Sequence, residues 1–140
     1  MINTSLLLEV ADIAEAIPPS KFDISSWHSE ISDTYCVIGY LAKFHRYHPQ
    51  FSRLELIPSI VDDNDNIGLV VRDQDGFIIH RGWGAVKHLF GLTTDQAEFL
   101  FWRHQYPNEG RNTTPADVAQ RIRQFAVDQQ IDRARELEVI

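Results

Sequence analysis

Cysteine is almost absent: Cys36 stands alone among 140 residues, so no internal disulfide is available and the cysteine usage gives no sign of an oxidising compartment. Long apolar runs are missing too. The run Leu6 to Leu8 is broken at once by Glu9, Asp12 and Glu15, with no basic residue before it, which is the pattern of neither a secretory leader nor a membrane span. A cytoplasmic protein that does not insert into membranes is therefore expected. The triplet Asn112-Thr113-Thr114 matches a glycosylation site, but the compartment argument goes against its use. Basic residues are outnumbered, 13 Lys and Arg against 20 Asp and Glu, for a net charge of -7. Sequence-independent duplex binding depends on many cations meeting phosphates, so that class is disfavoured. Glycine and proline number only 7 and 6 and never gather into a linker. No repeat is present, and a chain of this length is expected to form one domain, 1–140, around one core.

What is present is helical periodicity. Leu6, Val10, Ile13 and Ile17 recur at steps of four and three, predicting a helix from about Ser5 to Ile17 that Pro18 and Pro19 stop. Phe22 and Trp27 in the polar connection that follows are expected to anchor it to the core. The segment Thr34 to His45 is apolar almost all round and predicts the central helix of the fold. Gly39 inside it costs about 1 kcal/mol relative to Ala, which makes sense where another backbone packs close. Between Leu54 and His80 the period changes. Ile67 to Val71 and Phe77 to Ile79, separated by a loop with Asp75-Gly76, predict a β-hairpin near residues 67–80, with a third short strand at Leu54 to Leu56.

Helices return after it. Trp83 to Phe90 is expected to be one, closed by Gly91 in a left-handed conformation. Thr93 with Gln96 forms a capping box for the next, which turns Ala97, Leu100 and Phe101 inward. Thr114, Pro115 and Asp117 punctuate the start of the last helix. Its inward stripe, Val118, Ile122 and Phe125, changes phase beyond about 127, where Val127, Ile131 and Ala134 form a weaker face. That tail projects into solvent or meets a partner, for example a second copy in a homodimer through the C-terminal helix. The expected class is thus α+β, a mainly helical single domain of about five helices around the central apolar one.

The run Thr34-Tyr35-Cys36-Val37-Ile38-Gly39-Tyr40, followed by Leu89-Phe90-Gly91-Leu92-Thr93 with Ala97, Leu100 and Phe101, then Tyr106-Pro107 and Thr114-Pro115 with Ala119 and Ile122, resembles a family of small uncharacterised proteins of bacteria and their phages. The resemblance covers about two thirds of the chain. It implies the same helical fold and an accessory or inhibitory protein of phage or mobile-element type. Members often carry a second Cys just upstream of the matched one, where this sequence has Ile31, so a two-cysteine metal or redox role is not implied here.

Candidate chemistry is sparse. Cys36, near a helix start, is a candidate nucleophile with His45, His48 or His28 as base; free cysteines are also commonly buried packing. His45 and His48, three apart, would share a helix face and make half of a metal site, or simply cap a helix end. Asp62 to Asn66 imitates a calcium loop, but Ile67 replaces the required Gly and Asp73 the required Glu. Gly82-Trp83-Gly84, beside Arg81 and Lys87, is a turn or an anion cradle lacking phosphate-loop spacing. Phe99, Phe101, Trp102 and Tyr106 are expected in the core. No cofactor motif is complete.

The strongest candidate is the segment 43–53, in which Lys43, His45, Arg46, Tyr47, His48, Phe51 and Arg53 interleave basic and aromatic side chains. Residues 36–58 sum to +2 between stretches of -5 (1–35) and -3 (59–82). Such a segment suits a protein-docking surface, single-stranded nucleic acid, or a helix end whose cations meet its negative pole. Protein binding by a small acidic protein is the leading expectation. A Cys36-dependent enzyme and a single-strand binder are the alternatives.

Overall fold

The computed structural model describes residues 2–58 and 67–138; the acidic segment Asp62 to Asn66 lies outside them. Five helices and two small antiparallel sheets make an α+β fold. The helices are α1 (Thr4–Glu15), α2 (Val37–Phe44), α3 (Trp83–Phe90), α4 (Thr94–Phe101) and α5 (Pro115–Glu138). Strands β1 (His28–Ser29) and β2 (Thr34–Tyr35) form a two-residue ribbon, while β3 (Leu54–Pro58), β4 (Ile67–Arg72) and β5 (Ile78–Arg81) form a sheet in sequence order.

The most extensive helix pairing is α1 on α5. Leu7, Val10, Ala11 and Ala14 of α1 and Val118, Ala119, Ile122 and Ala126 of α5 are buried, and the alanines let the two backbones approach closely. The inward face of α1 lies nearer Leu7 and Ala11 than expected, leaving Ile13 only partly buried. On the rim, Arg123 of α5 donates to Asp12 Oδ1 at 2.7 Å and Glu15 Oε2 at 2.9 Å. From Asp128 to Leu137, α5 is exposed except for half-buried Gln129, as the change of phase in its stripe implies.

Three expected boundaries hold atom by atom. Thr93 Oγ1 accepts from the Gln96 amide and Gln96 Oε1 from the Thr93 amide. Thr114 and Asp117 exchange the same pair of bonds at the start of α5. Gly91 closes α3 at φ 70°, a conformation that costs a side-chain-bearing residue about 1–2 kcal/mol. The hairpin and the third strand are present, with Leu54 opposite Val71 and Val71 opposite His80.

The expected helix 34–45 is corrected at both ends. Thr34 and Tyr35 are β2, paired with Ser29 and His28, because a left-handed turn at Asp33 (φ 52°) folds the chain back on itself. Cys36 is the N-cap: its Sγ accepts from the Gly39 amide at 3.4 Å, so the helix begins at Val37. It ends at Phe44. Val37, Ile38, Gly39, Leu41 and Ala42 are buried, but Lys43 and Phe44 are exposed, so the helix is apolar all round only in its first half. Gly39 does mark a close approach. A Cβ built there would stand 1.7 Å from the Trp27 carbonyl oxygen.

Candidate functional site

The end of α2 carries the basic and aromatic segment. Ring contacts run without a break from His28, stacked on Tyr35 at 4.3 Å, through Tyr40 and Phe44 to His45 and Tyr47. The inner rungs are held by β2. The outer rungs face solvent: Phe44 is 46% and Tyr47 79% exposed. Lys43, Arg46 and Arg53 are exposed around them, and Arg46 donates to the Ser52 carbonyl at 3.3 Å. Phe51 is not part of this surface. It is fully buried, because the turn after α2 swings it back into the core beneath His48.

His45 and His48 do not share a helix face. His45 is the C-cap of α2 and His48 lies in the turn beyond it. Their rings have separate partners, the Tyr47 hydroxyl at 3.0 Å from His45 Nδ1 and Glu9 Oε2 at 3.0 Å from His48 Nε2. Partial burial, then the neighbouring His48, pushes the His45 pKa down. Among the described residues no group of three or more His, Cys, Asp or Glu is placed to hold a metal ion.

Cys36 is buried, 4% exposed. Burial pushes its thiol up to about 11, and the surrounding amides of Gly39, Ile38 and Cys36 itself only partly offset this. The helix start thus fails to activate it, since desolvation outweighs the amide field. Among the described residues no histidine is hydrogen-bonded to the sulfur. His28, the histidine of the adjoining ribbon, holds its buried Nε2 3.5 Å from Asp33 Oδ1 without a formed hydrogen bond.

Beside Cys36 a cleft of about 400 Å³ opens on the surface. Its walls are Trp27, Trp83 and Trp102, which are all the tryptophans of the chain. They come from three junctions. Trp27 is pinned by its carbonyl against Gly39 and by the Ser26 carbonyl, which accepts from the Cys36 amide at 3.0 Å. Trp83 opens α3 after Gly82, whose φ 54°, ψ -127° only glycine adopts freely and whose amide donates to the Leu69 carbonyl at 2.8 Å. With that amide spent, Gly82 forms the turn expected of it and offers no free N–H to an anion. Trp102 caps the C-terminus of α4, where the chain leaves the helix in extended conformation. Trp102 and Phe99, expected in the core, are not part of it. Both are exposed, at 36% and 43%, since the inward stripe of α4 is Ala97, Leu100 and Phe101 and neither residue lies on it.

A second hollow, of about 540 Å³, lies between α5 and the loop after α4. Arg121 crosses it, packed 3.8 Å over the Tyr106 ring and donating to the Phe99 and Gln105 carbonyls. Tyr106 is buried and its hydroxyl donates to the Leu100 carbonyl. Compared with family models, with curated proteins and with solved structures, the chain matches none. No helix among the described residues is long and apolar enough to cross a membrane.

Proposed function

We propose that this protein acts by binding another protein through the surface at the end of α2. The observation that carries the reading is the uninterrupted ladder of rings ending in the exposed Phe44 and Tyr47, flanked by Lys43 and Arg46. Aromatic and arginine side chains dominate binding energy at protein interfaces, and rings already ordered by their neighbours lose little entropy on docking. The patch is the basic island of an acidic chain, so its complement is an acidic surface. An accessory or inhibitory role of phage or mobile-element type is part of this reading, on the strength of the family resemblance, and a cytoplasmic location is part of it on the strength of the lone cysteine.

A photo-reactive phenylalanine at position 47, compared with one at Asn112 in the hollow beside α5, tests it. The expected result is one discrete protein cross-linked from position 47 only; the same diffuse products from both positions would refute it. A salt-sensitive complex with oligo-deoxythymidine, lost in Arg46→Ala, would favour the nucleic-acid alternative. The cysteine-enzyme alternative is weakened by the burial of Cys36.

Self-association is a second reading, favoured by α5. Val127 and Ile131 are exposed and share a stripe with Ala134, while Asp128 and Arg135 flank it on one side. An antiparallel copy would set each Asp128 near the other chain's Arg135. Light scattering that gives a dimer mass, reduced to monomer by Ile131→Glu, is the expected outcome; a concentration-independent monomer would refute it.

A further inference from the structure

We propose that the tryptophan cleft is a second docking site, which takes a short proline-rich segment in extended left-handed conformation with basic residues at its ends. It does not rest on the α2 surface, whose exposed residues Lys43, Phe44, Arg46 and Tyr47 are not in the cleft; the two share only His28, the inner end of the ring ladder.

The chemistry of the lining selects this occupant. Among the described residues that line the cleft there is no Lys, Arg, Asp or Glu; the one basic side chain is His28, whose Nε2 lies 3.5 Å from Asp33 Oδ1. Neither a nucleotide phosphate nor an ammonium ion finds a fixed opposite charge in that lining. Trp27 and Trp83 meet edge to face, 5.2 Å between centroids at 61°, so their faces form a corner instead of two parallel walls around a small cation. What the cleft does offer is apolar ring surface, with His28, whose buried Nε2 has no hydrogen-bond partner among the described residues, in its wall. None of the three indole N–H groups has a partner among the described residues.

A polyproline-type helix is the complement of such a surface. It has no internal hydrogen bonds, its carbonyls stand free as acceptors, and its prolines bring flat rings but no N–H donors that would need acceptors from the wall. Grooves lined with aromatic side chains recognise such segments because the ligand is already ordered before it binds. One turn is three residues and roughly 9 Å long, a scale that matches a cleft of about 400 Å³ rather than a folded domain.

Charge adds a direction. Beyond the lining, Asp23 lies close enough for its charge to bear on Cys36, and Glu30 and Asp33 are exposed on the ribbon that carries His28. Lys21 pairs with Asp33 at 2.6 Å and neutralises one of them. The rim is thus acidic on the ribbon side, while exposed Arg103 follows Trp102 on the other, and an arginine at the end of the segment that lies over the ribbon meets the acids.

The three tryptophans are the chain's only ones, so intrinsic fluorescence reports on the cleft directly. Titration uses three peptides: eight prolines with an arginine at each end, the same with glutamates, and an arginine-ended glycine-serine peptide. The arginine-ended proline peptide is expected to give a saturable change. Trp102→Ala, a surface substitution, should weaken it by at least about tenfold, as loss of a hot-spot ring does, and Trp83→Phe, which keeps a ring and removes a donor, by less. The glutamate ends should weaken binding, and the glycine-serine peptide should give no saturation. Tyr47→Ala should leave the titration unchanged, which separates failure here from failure of the α2 surface. An equal response to the glycine-serine peptide, an unchanged affinity in Trp102→Ala, no saturable response, or saturation by oligo-deoxythymidine instead would each overturn the proposal.

Discussion

Replacing Gly39 with alanine should destabilise this protein, against the usual sign of the substitution. Within a helix, Gly→Ala ordinarily stabilises by about 1 kcal/mol. Here the added Cβ would lie 1.7 Å from the Trp27 carbonyl oxygen and 2.6 Å from its carbon. The obstacle is backbone, so no rotamer change relieves it, and the chain at Ser26 and Trp27 must retreat. Overpacking of this kind costs about 1–3 kcal/mol. Weakening the Cys36 amide bond to the Ser26 carbonyl costs about 1 kcal/mol more. With the helix gain subtracted, the net loss is about 1–3 kcal/mol, or a fall in Tm of roughly 2–12 °C at about 2–4 °C per kcal/mol. Gly84→Ala is the internal control: it too sits near a helix start, but nothing stands within 4 Å of its added Cβ, and it should be neutral or mildly stabilising. Urea unfolding followed by circular dichroism, with native tryptophan emission recorded alongside, gives both numbers. A Gly39→Ala protein as stable as the parent, with unchanged emission, would show that Trp27 is not pinned against α2.

Other consequences are equally open to measurement. Because burial raises the Cys36 thiol from 9.0 to about 11, folding stability should be intact below pH 9 and decline as the pH rises through 11. The loss is on the order of 2–3 kcal/mol, joined by the raised Tyr35 and Tyr106 hydroxyls. Cys36→Ser, which keeps a capping atom that does not ionise, should flatten that decline in denaturant titrations at stepped pH, and equal losses in both proteins would contradict the burial argument. Iodoacetamide should alkylate Cys36 far more slowly in native than in unfolded protein, and a faster native rate would revive the nucleophile. Tyr106→Phe strands the Leu100 carbonyl and should cost about 1–3 kcal/mol in urea unfolding; no change would mean that water replaces the hydroxyl. Arg123→Ala removes the exposed links from α5 to Asp12 and Glu15. It should lower stability by no more than about 1 kcal/mol, less at high salt, and a larger loss would show that the α1–α5 pairing depends on charge rather than on its alanines.

Much of the fold is legible in the chain because its punctuation is local. Thr93 with Gln96, Thr114 with Asp117 and Gly91 each decide a helix end through atoms three or four residues apart, and all three hold in the structure. Gly39 is legible as a packing signal, though not what packs there, since Trp27 arrives through the ribbon of β1 and β2. That ribbon is not legible. Thr34 and Tyr35 continue the apolar run of α2, and only the left-handed turn at Asp33, a tertiary choice, separates them from it. The segment 43–53 is recognisable from its composition, but helical spacing misplaces His45 and His48 because α2 stops at Phe44, and composition does not show that the turn beyond it buries Phe51. The tryptophan cleft leaves no local trace. Its walls are 56 and 19 positions apart in the chain, and each residue taken singly is an ordinary anchor, helix start or helix end.

The claim that the outer face of α2 is where a partner docks is tested most directly by calorimetric titration of the protein cross-linked at position 47, using the parent chain and Tyr47→Ala. Loss of this ring should weaken binding at least about tenfold and leave the unfolding midpoint unmoved, since Tyr47 is largely exposed. Equal affinities for the two chains would contradict the account.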